Sequence, residues 1–235
     1  MKEIKEENLQ EFKSFIENHQ YFYIIGHKEP DGDCIASCLG VAEILKYFKK
    51  EYKLLSAGPF KRNEIKKFEK MFSNNADFLD NKDRQITGLF ILDCSELFRL
   101  GEIDGDLSGL DIFVIDHHKT SNLPENAIGF IDSEAPACSY LVQLFYEKLI
   151  GSIPLKLANI LFFGLSTDTG FFRFLSKDSA EVFMAAARLV SYGVEPRVIY
   201  NEINSGKPYS TRKLLGALLS KAERYLDGKL VITYE

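Results

Sequence analysis

The sequence predicts an α/β fold: a mainly parallel sheet flanked by helices, followed by a linker and the start of a second, smaller domain. Three observations carry this expectation. Short runs rich in Ile, Phe and Val, among them "YFYII", "GLFILD", "DIFVID" and "IGFID", read as buried strands. Segments with helical spacing fall between several of them, as in a parallel sheet covered on both faces. After Gly193 the helical pattern is interrupted by the breakers Gly206 and Pro208, as in a connecting region.

The elements follow in order. Leu9, Phe12, Phe15 and Ile16 are spaced as one face of an amphipathic helix, on which His19 is expected to be solvated. "YFYII" is the first strand, and Cys34 to Phe48 has a helical pattern. "YKLLSA" and "GLFILD" are strands separated by the Lys-rich, helix-like "RNEIKKFEKMF", and "DIFVID" and "IGFID" complete the set. Ser152 and Pro154 suit the cap and first turn of a helix through "LKLANILFFGLST"; the run also fits a central strand, and helix is preferred. "DSAEVFMAAARLVSYG" is a clearer helix, started by Asp178 or Ser179 and ended by Gly193. "DGKLVITYE" is a turn and one alternating strand with no evident partner.

Composition narrows the class. With 235 residues, 46% hydrophobic and 27% charged, the chain can bury a substantial core, and disorder is not the reading. A net charge of −5 argues against a long nucleic-acid partner, although a small phosphate ligand held locally remains compatible. No apolar run reaches the roughly 18 residues of a membrane span, and "MKEIKEENLQEF" has the charge of a surface helix, so the expected location is the cytoplasm. Cys34, Cys38, Cys94 and Cys138 lack zinc-site spacing and read as reduced thiols packed like small apolar residues.

The stretch "HKEPDGD" puts His27, Glu29, Asp31 and Asp33 between an apolar strand and an apolar helix, where like charges repel unless something positive sits among them. The arrangement recurs. Asp93 ends "LFILD", Asp116, His117 and His118 end "FVIDHH", and Asp168 follows "LFFGLST". Loops beyond the carboxyl ends of parallel strands share one edge, where binding sites form. A single Asp after a strand is ordinarily a turn or cap residue; together these segments point to one site. Carboxylates with a few imidazoles and no thiolate suit Mn²⁺, Mg²⁺ or Fe²⁺, with Co²⁺ as a substitute and Zn²⁺ a poorer fit. The candidate ligands are too many for one ion, whereas two ions about 3.5–4 Å apart use them sensibly. Asp168 at the negative end of a helix again calls for a cation. Arg99 and Arg173 are the candidate phosphate clamps, with Lys119 a weaker one, and "PFKRNEIKK" reads as an exposed Lys-rich helix face.

The motifs "HKEPDGD", "LDCS", "DHH" and "GLSTDTGFFRF", in this order from about Tyr21 to Phe174, resemble those of the DHH phosphoesterase superfamily. That superfamily includes RecJ-type exonucleases, family II inorganic pyrophosphatases and bacterial oligoribonuclease/pAp phosphatases (nanoRNases), and the motif forms are most similar to the last branch. The resemblance implies His27 and Asp31 on a first metal, Asp33, His117 and Asp168 on a second, and Asp93 bridging them. Asp116 would orient a ligand histidine through its free ring nitrogen, and His118 would contact the phosphate and protonate the leaving oxygen. Glu29 would have no ligand role. The implied cofactors are two divalent ions, Mn²⁺ first, with Mg²⁺ or Co²⁺ as alternatives.

The implied division is a DHH catalytic domain over 1–193, a linker over 194–209, and the beginning of a C-terminal substrate-binding domain over 210–235. The "GGGH"-type motif of that domain is missing from the sequence, so the domain is expected to be cut short. The implied function is hydrolysis of short oligonucleotides from one end, or of pAp-type nucleotides, by a two-metal activated water, with no membrane partner and with a homodimer as an option. The same site suits inorganic pyrophosphate or a linear dinucleotide. A non-catalytic metal- and nucleotide-binding module is the rival of another class, disfavoured because a structural site has no need of His118 beside a bridging Asp93.

Overall fold

Five apolar runs pair as one sheet in the computed structural model, which describes residues 1–76, 81–119, 123–124, 127–204 and 208–234. They are β1 (Tyr21–Gly26), β2 (Glu51–Leu55), β3 (Thr87–Leu92), β4 (Asp111–Asp116) and β5 (Ala127–Ile131), in the order β2-β1-β3-β4-β5, with every neighbour parallel. β3 is buried along its whole length, and β1 and β4 in all but the first residue, which is why they read as unbroken apolar runs. From β1 the chain goes to one side for β2 and then crosses to the other for β3. The strand order therefore reverses beside β1, and the crevice of such a sheet lies beyond the carboxyl ends of β1 and β3.

The helices are α1 (Glu6–Asn18), α2 (Gly32–Tyr47), α3 (Asn81–Gln85), α4 (Cys138–Leu149), α5 (Leu155–Asp168), α6 (Ala180–Ser191) and α7 (Pro196–Asn204), with 3₁₀ turns at Asn63–Met71 and Leu97–Leu100. On one face of the sheet an aromatic layer joins helices to strands: the Phe12 ring of α1 lies 5.4 Å from Phe90, 5.1 Å from Phe113 and 4.8 Å from Phe145 of α4. The alternate residues Tyr23, Ile25, Leu89, Ile91, Ile112 and Val114 form a second cluster with Ala76, Leu100 and Leu110. That face is thus covered in part by loop and 3₁₀ segments, where the sequence suggested helices on both sides.

The ambiguous run after Pro154 is a helix, α5, and its last residue is Asp168. α4 has no counterpart in the sequence reading, although Leu141, Val142, Phe145 and Tyr146 lie at helical spacing and are buried. α2 and α5 approach closely because Gly164 has no side chain: a Cβ there would sit 2.4 Å from Ala36 Cβ and 2.8 Å from Ser139 Oγ. Gly164→Ala is therefore expected to destabilise the fold by about 1–3 kcal/mol through overpacking, despite Ala's better helix propensity. Thermal unfolding beside the wild type measures it; an equal or higher midpoint would contradict this packing.

His19 departs from expectation. It is buried, with Nδ1 2.8 Å from the Phe15 carbonyl and Nε2 3.2 Å from Asp111 Oδ2, because the end of α1 turns in against β1 and β4. Contacts divide the chain into two compact units, Met1–Tyr200 and Asn201–Glu235. In the second, α8 (Tyr209–Ser220) precedes β6 (Glu223–Tyr225) and β7 (Leu230–Ile232). The strand expected to lack a partner pairs antiparallel with β6, Glu223 opposite Ile232. Among the described residues, no helix is long and apolar enough to cross a membrane.

Candidate metal centre

Each element delivers its residue at the carboxyl edge of the sheet. β1 ends at Gly26, so His27 is the first residue of the loop. Asp31 is the N-cap of α2, and its Oδ1 accepts the N–H groups of Asp33 and Cys34, each at 3.1 Å. Asp93 follows β3 with a left-handed φ of +61°, a conformation that Asp tolerates better than most residues. Asp116 ends β4, directly before His117 and His118, and Asp168 arrives from the end of α5.

The two inner histidines are held alike. His27 Nδ1 lies 2.8 Å from the Lys28 carbonyl and His117 Nδ1 3.3 Å from the Ala135 carbonyl, so each Nδ1–H donates to backbone and each Nε2 faces the acids. His27 Nε2 is 3.4 Å from Asp93 Oδ2 and 3.9 Å from Asp31 Oδ1. His117 Nε2 is 3.2 Å from Asp93 Oδ1, 3.5 Å from Asp168 Oδ2 and 3.9 Å from Asp33 Oδ2. Asp93 therefore turns one oxygen to each histidine. Its Oδ1, though buried, makes no hydrogen bond. Donors about 2.1 Å from an octahedral ion lie about 3 Å apart, so these spacings accept a cation with small adjustment.

The pocket's electrostatics show what it lacks. Burial acts to lower the His117 pKa, but the Asp93 carboxylate beside it and the charges of Asp33 and Asp168 raise it to about 10. Burial likewise opposes, and Asp31 and Asp93 outweigh it, in holding the His27 ring protonated far above its usual range. Burial, against the attraction of His117, raises Asp168 to about 6. Burial and the neighbouring Asp93 and Asp168 push Asp33 well above the carboxylate range. Asp31 moves down, to about 2, because His27 and the Cys34 N–H outweigh its burial. Protons gather where positive charge is short. Asp33, His117 and Asp168 form one group able to hold an ion, and Asp93 belongs to others with His27, Cys34, His117 and His118; this donor set fits divalent cations.

His118 is arranged differently. Its Nδ1 is 2.7 Å from Asp116 Oδ1, which also accepts the N–H groups of His117 at 2.8 Å and His118 at 3.2 Å. Asp116 thus orients His118, while His117, the histidine the resemblance pairs with a metal, is oriented by the Ala135 carbonyl. That is a correction to the expected role of Asp116. Its carboxyl, against the effect of burial, is kept below the usual range chiefly by His118.

Residues 21–165 match the model of the DHH family, N-terminal domain. The chain belongs to the DHH family. Metal dependence is a property of that family. Two relatives are bifunctional oligoribonuclease and PAP phosphatase NrnA proteins: that of Thermus thermophilus is 28% identical over 90% of this chain, and that of Mycoplasma genitalium 24% identical over 86%. The chain spans 62% of the length of each. An exopolyphosphatase-related protein from Bacteroides fragilis superposes with a TM-score of 0.81 over 96% of this chain and 68% of its own, at 23% identity. A putative family II inorganic pyrophosphatase from Methanococcus jannaschii gives 0.52 over 77% of this chain and 59% of its own, at 21% identity. Both share the DHH fold.

The arginines near the DHH centre are placed differently from one another. Arg173 is exposed, with its guanidinium 4.7 Å from the centre of the Phe174 ring. Arg99 is half-buried in a 3₁₀ turn, and its carbonyl accepts the Lys28 N–H at 2.7 Å. Among the described residues, the guanidinium paired with a site carboxylate is that of Arg62, with Nη2 3.8 Å from Asp31 Oδ2. Arg62 lies in the stretch "PFKRNEIKK" beyond β2, and its place after a parallel strand was the signal available in the sequence. Glu29 is exposed and pairs with Lys61 at 2.6 Å.

A divalent cation held in this pocket would compete with its protons, which gives a signed expectation. In the metal-free protein, stability from His117 is present below 6.5 and is lost as pH rises through about 10. Stability from Asp168 is present below 3.8 and is lost as pH rises through about 6. Added Mn²⁺ replaces those protons, so its stabilisation is expected to be small at pH 5 and to grow toward pH 8. At about 100 times Kd it reaches about 2.7 kcal/mol. Thermal melts with Mn²⁺ and with EDTA at each pH test this; a Mn²⁺ effect that does not change with pH would contradict it.

Proposed function

We propose that this DHH protein is a phosphoesterase acting on short oligonucleotides from one end and on pAp-type nucleotides. The observation that carries the reading is Asp93, whose two oxygens face two separate histidine–carboxylate groups and so suit a bridging ligand. On this reading His27 and Asp31 hold one divalent cation, Asp33, His117 and Asp168 hold the other, and Asp93 is shared, with Mn²⁺ ahead of Mg²⁺ and Co²⁺. Bound there, the pair supplies Lewis-acid stabilisation of phosphoryl oxygens and a water of lowered pKa. The chain's own residues do the rest. Asp116 fixes His118 by its Nδ1–H, so that Nε2 is the atom that contacts the phosphate and delivers a proton to the departing sugar oxygen. Arg99 and Arg173 remain the phosphate-binding candidates from the sequence, and Arg62 joins them because it already stands against Asp31.

The names of the two relatives supply the substrate class. The reading includes a catalytic domain over 1–193, a linker over 194–209 and a further substrate-binding part from 210 onward, a cytoplasmic location and a homodimer, which sedimentation checks. Phosphate release in Mn²⁺ from pAp, from pyrophosphate and from a linear dinucleotide, the last coupled to a phosphatase, decides the substrate. Turnover of pAp and the dinucleotide with pyrophosphate untouched is the expected result. Turnover of pyrophosphate alone would replace this reading with a pyrophosphatase, and none in any case would leave a binding module.

A further inference from the structure

Besides His118, the ligand sets above leave out a donor at the centre, the thiol of Cys34. It stands on the first turn of α2, where its N–H is fixed to Asp31 Oδ1 at 3.1 Å. Its sulfur is directed back over the end of β1: a Cβ on Gly26 would lie 2.2 Å from Cys34 Sγ, so the thiol occupies the space that a side chain at Gly26 would fill. This brings the sulfur, a ring nitrogen of His27 and a carboxylate oxygen of Asp93 within 4.8 Å of one another. Cys34 and Asp93 are each 2% exposed, and the Asp93 oxygen on this side is Oδ2, 3.4 Å from His27 Nε2. Sulfur, imidazole and carboxylate donors at about 2.0–2.3 Å from a tetrahedral ion lie about 3.3–3.8 Å apart, so donors within 4.8 Å of one another need to close in on the ion to bind it. The Asp33, His117 and Asp168 group offers no sulfur, only oxygen and nitrogen.

We propose that Cys34 is a metal donor at the position of His27 and Asp93, so that the two cation positions differ: the one beside β1 takes thiophilic divalent ions such as Zn²⁺ or Cd²⁺, and the other keeps to Mn²⁺ and similar hard ions. Coordination replaces the S–H bond by a sulfur–metal bond, and the thiol proton passes to water; nothing is oxidised or reduced. A soft ligand raises affinity for Zn²⁺ and Cd²⁺ far more than for Mn²⁺. The inference rests on the two-ion reading of the pocket and adds to it which ion each position selects.

Co²⁺ titrated into the metal-free protein tests it, because a sulfur ligand gives a sulfur-to-cobalt charge-transfer absorption in the near ultraviolet. The band is expected in the wild type and in Cys38→Ser, the control for the thiol next to Cys34, and is expected to vanish in Cys34→Ser. In competition experiments Cys34→Ser should lower the preference for Zn²⁺ over Mn²⁺ by at least about tenfold, the lower end of the effect of losing even an outer-shell partner. Co²⁺ bound by the wild type without the band, or an unchanged band in Cys34→Ser, overturns the inference. If Cys34→Ser does not fold, Cys34→Ala replaces it, and the wild-type spectrum can overturn the inference by itself. Calorimetric counting of Mn²⁺ separates the two levels: two Mn²⁺ bound without a sulfur band sinks only the role of Cys34, and no Mn²⁺ bound sinks the two-ion reading with it.

Discussion

Asp93→Asn is expected to lower Mn²⁺-dependent hydrolysis of pAp by at least about a hundredfold while leaving the fold intact. Losing an outer-shell partner of a metal site already costs about 10–100-fold, and a shared ligand touches both positions at once. The substitution is close to isosteric, and Asn tolerates the left-handed backbone at φ +61° as well as Asp does. It also removes one negative charge from a pocket where Asp93 repels Asp33 and Asp168. The change also weakens the partner of the His27 and His117 rings, so the metal-free variant should melt close to the wild-type temperature, while calorimetry finds fewer Mn²⁺ ions bound. Unchanged turnover would remove Asp93 from the reaction and with it the bridging geometry.

Asp33→Ala should do the opposite to stability. The Asp33 carboxylate reaches across from α2 and caps α4: Oδ2 accepts the Cys138 N–H at 2.6 Å and Oδ1 the Ser139 N–H at 2.9 Å. The residue at the N-cap of α4 itself, Ala137, has no side-chain acceptor, so Asp33 supplies both bonds. Leaving two buried N–H groups unsatisfied costs about 2–6 kcal/mol, offset in part by relieving the burial of Asp33 beside Asp93 and Asp168. Asp33→Asn keeps one acceptor oxygen and should fall between. Urea unfolding of the metal-free proteins should rank the wild type above Asp33→Asn and Asp33→Asn above Asp33→Ala. Equal stability of Asp33→Ala and the wild type would mean that α4 needs no cap from α2. The two aspartates thus separate: one is expected to matter for chemistry alone, the other for chemistry and folding together.

Local patterns made much of this legible. Runs such as "GLFILD" and "DIFVID" are strands because strands buried on both faces need uninterrupted apolar residues, and β3 and β4 lie inside the sheet. Acids and histidines directly after those runs had to meet, since parallel strands end along one edge. α4 was hidden because its start carries no local signal, its cap coming from a residue 105 positions before Cys138. His19 has the neighbours of a surface residue in sequence, and it is buried because the fold packs its ring against Phe22 and brings Asp111, 92 positions away, to its Nε2.

The sequence by itself determined the α/β class, the family and which acids and histidines share the sheet edge, because strand period, helix period and the order of motifs are properties of neighbouring residues. Only the tertiary structure decided that Asp116 holds His118 rather than His117, that Arg62 stands beside Asp31, and that the Cys34 sulfur turns over Gly26 toward His27 and Asp93. Those choices concern which atom faces which. Packing between segments far apart in the chain sets them, and no local pattern encodes the direction of a side chain.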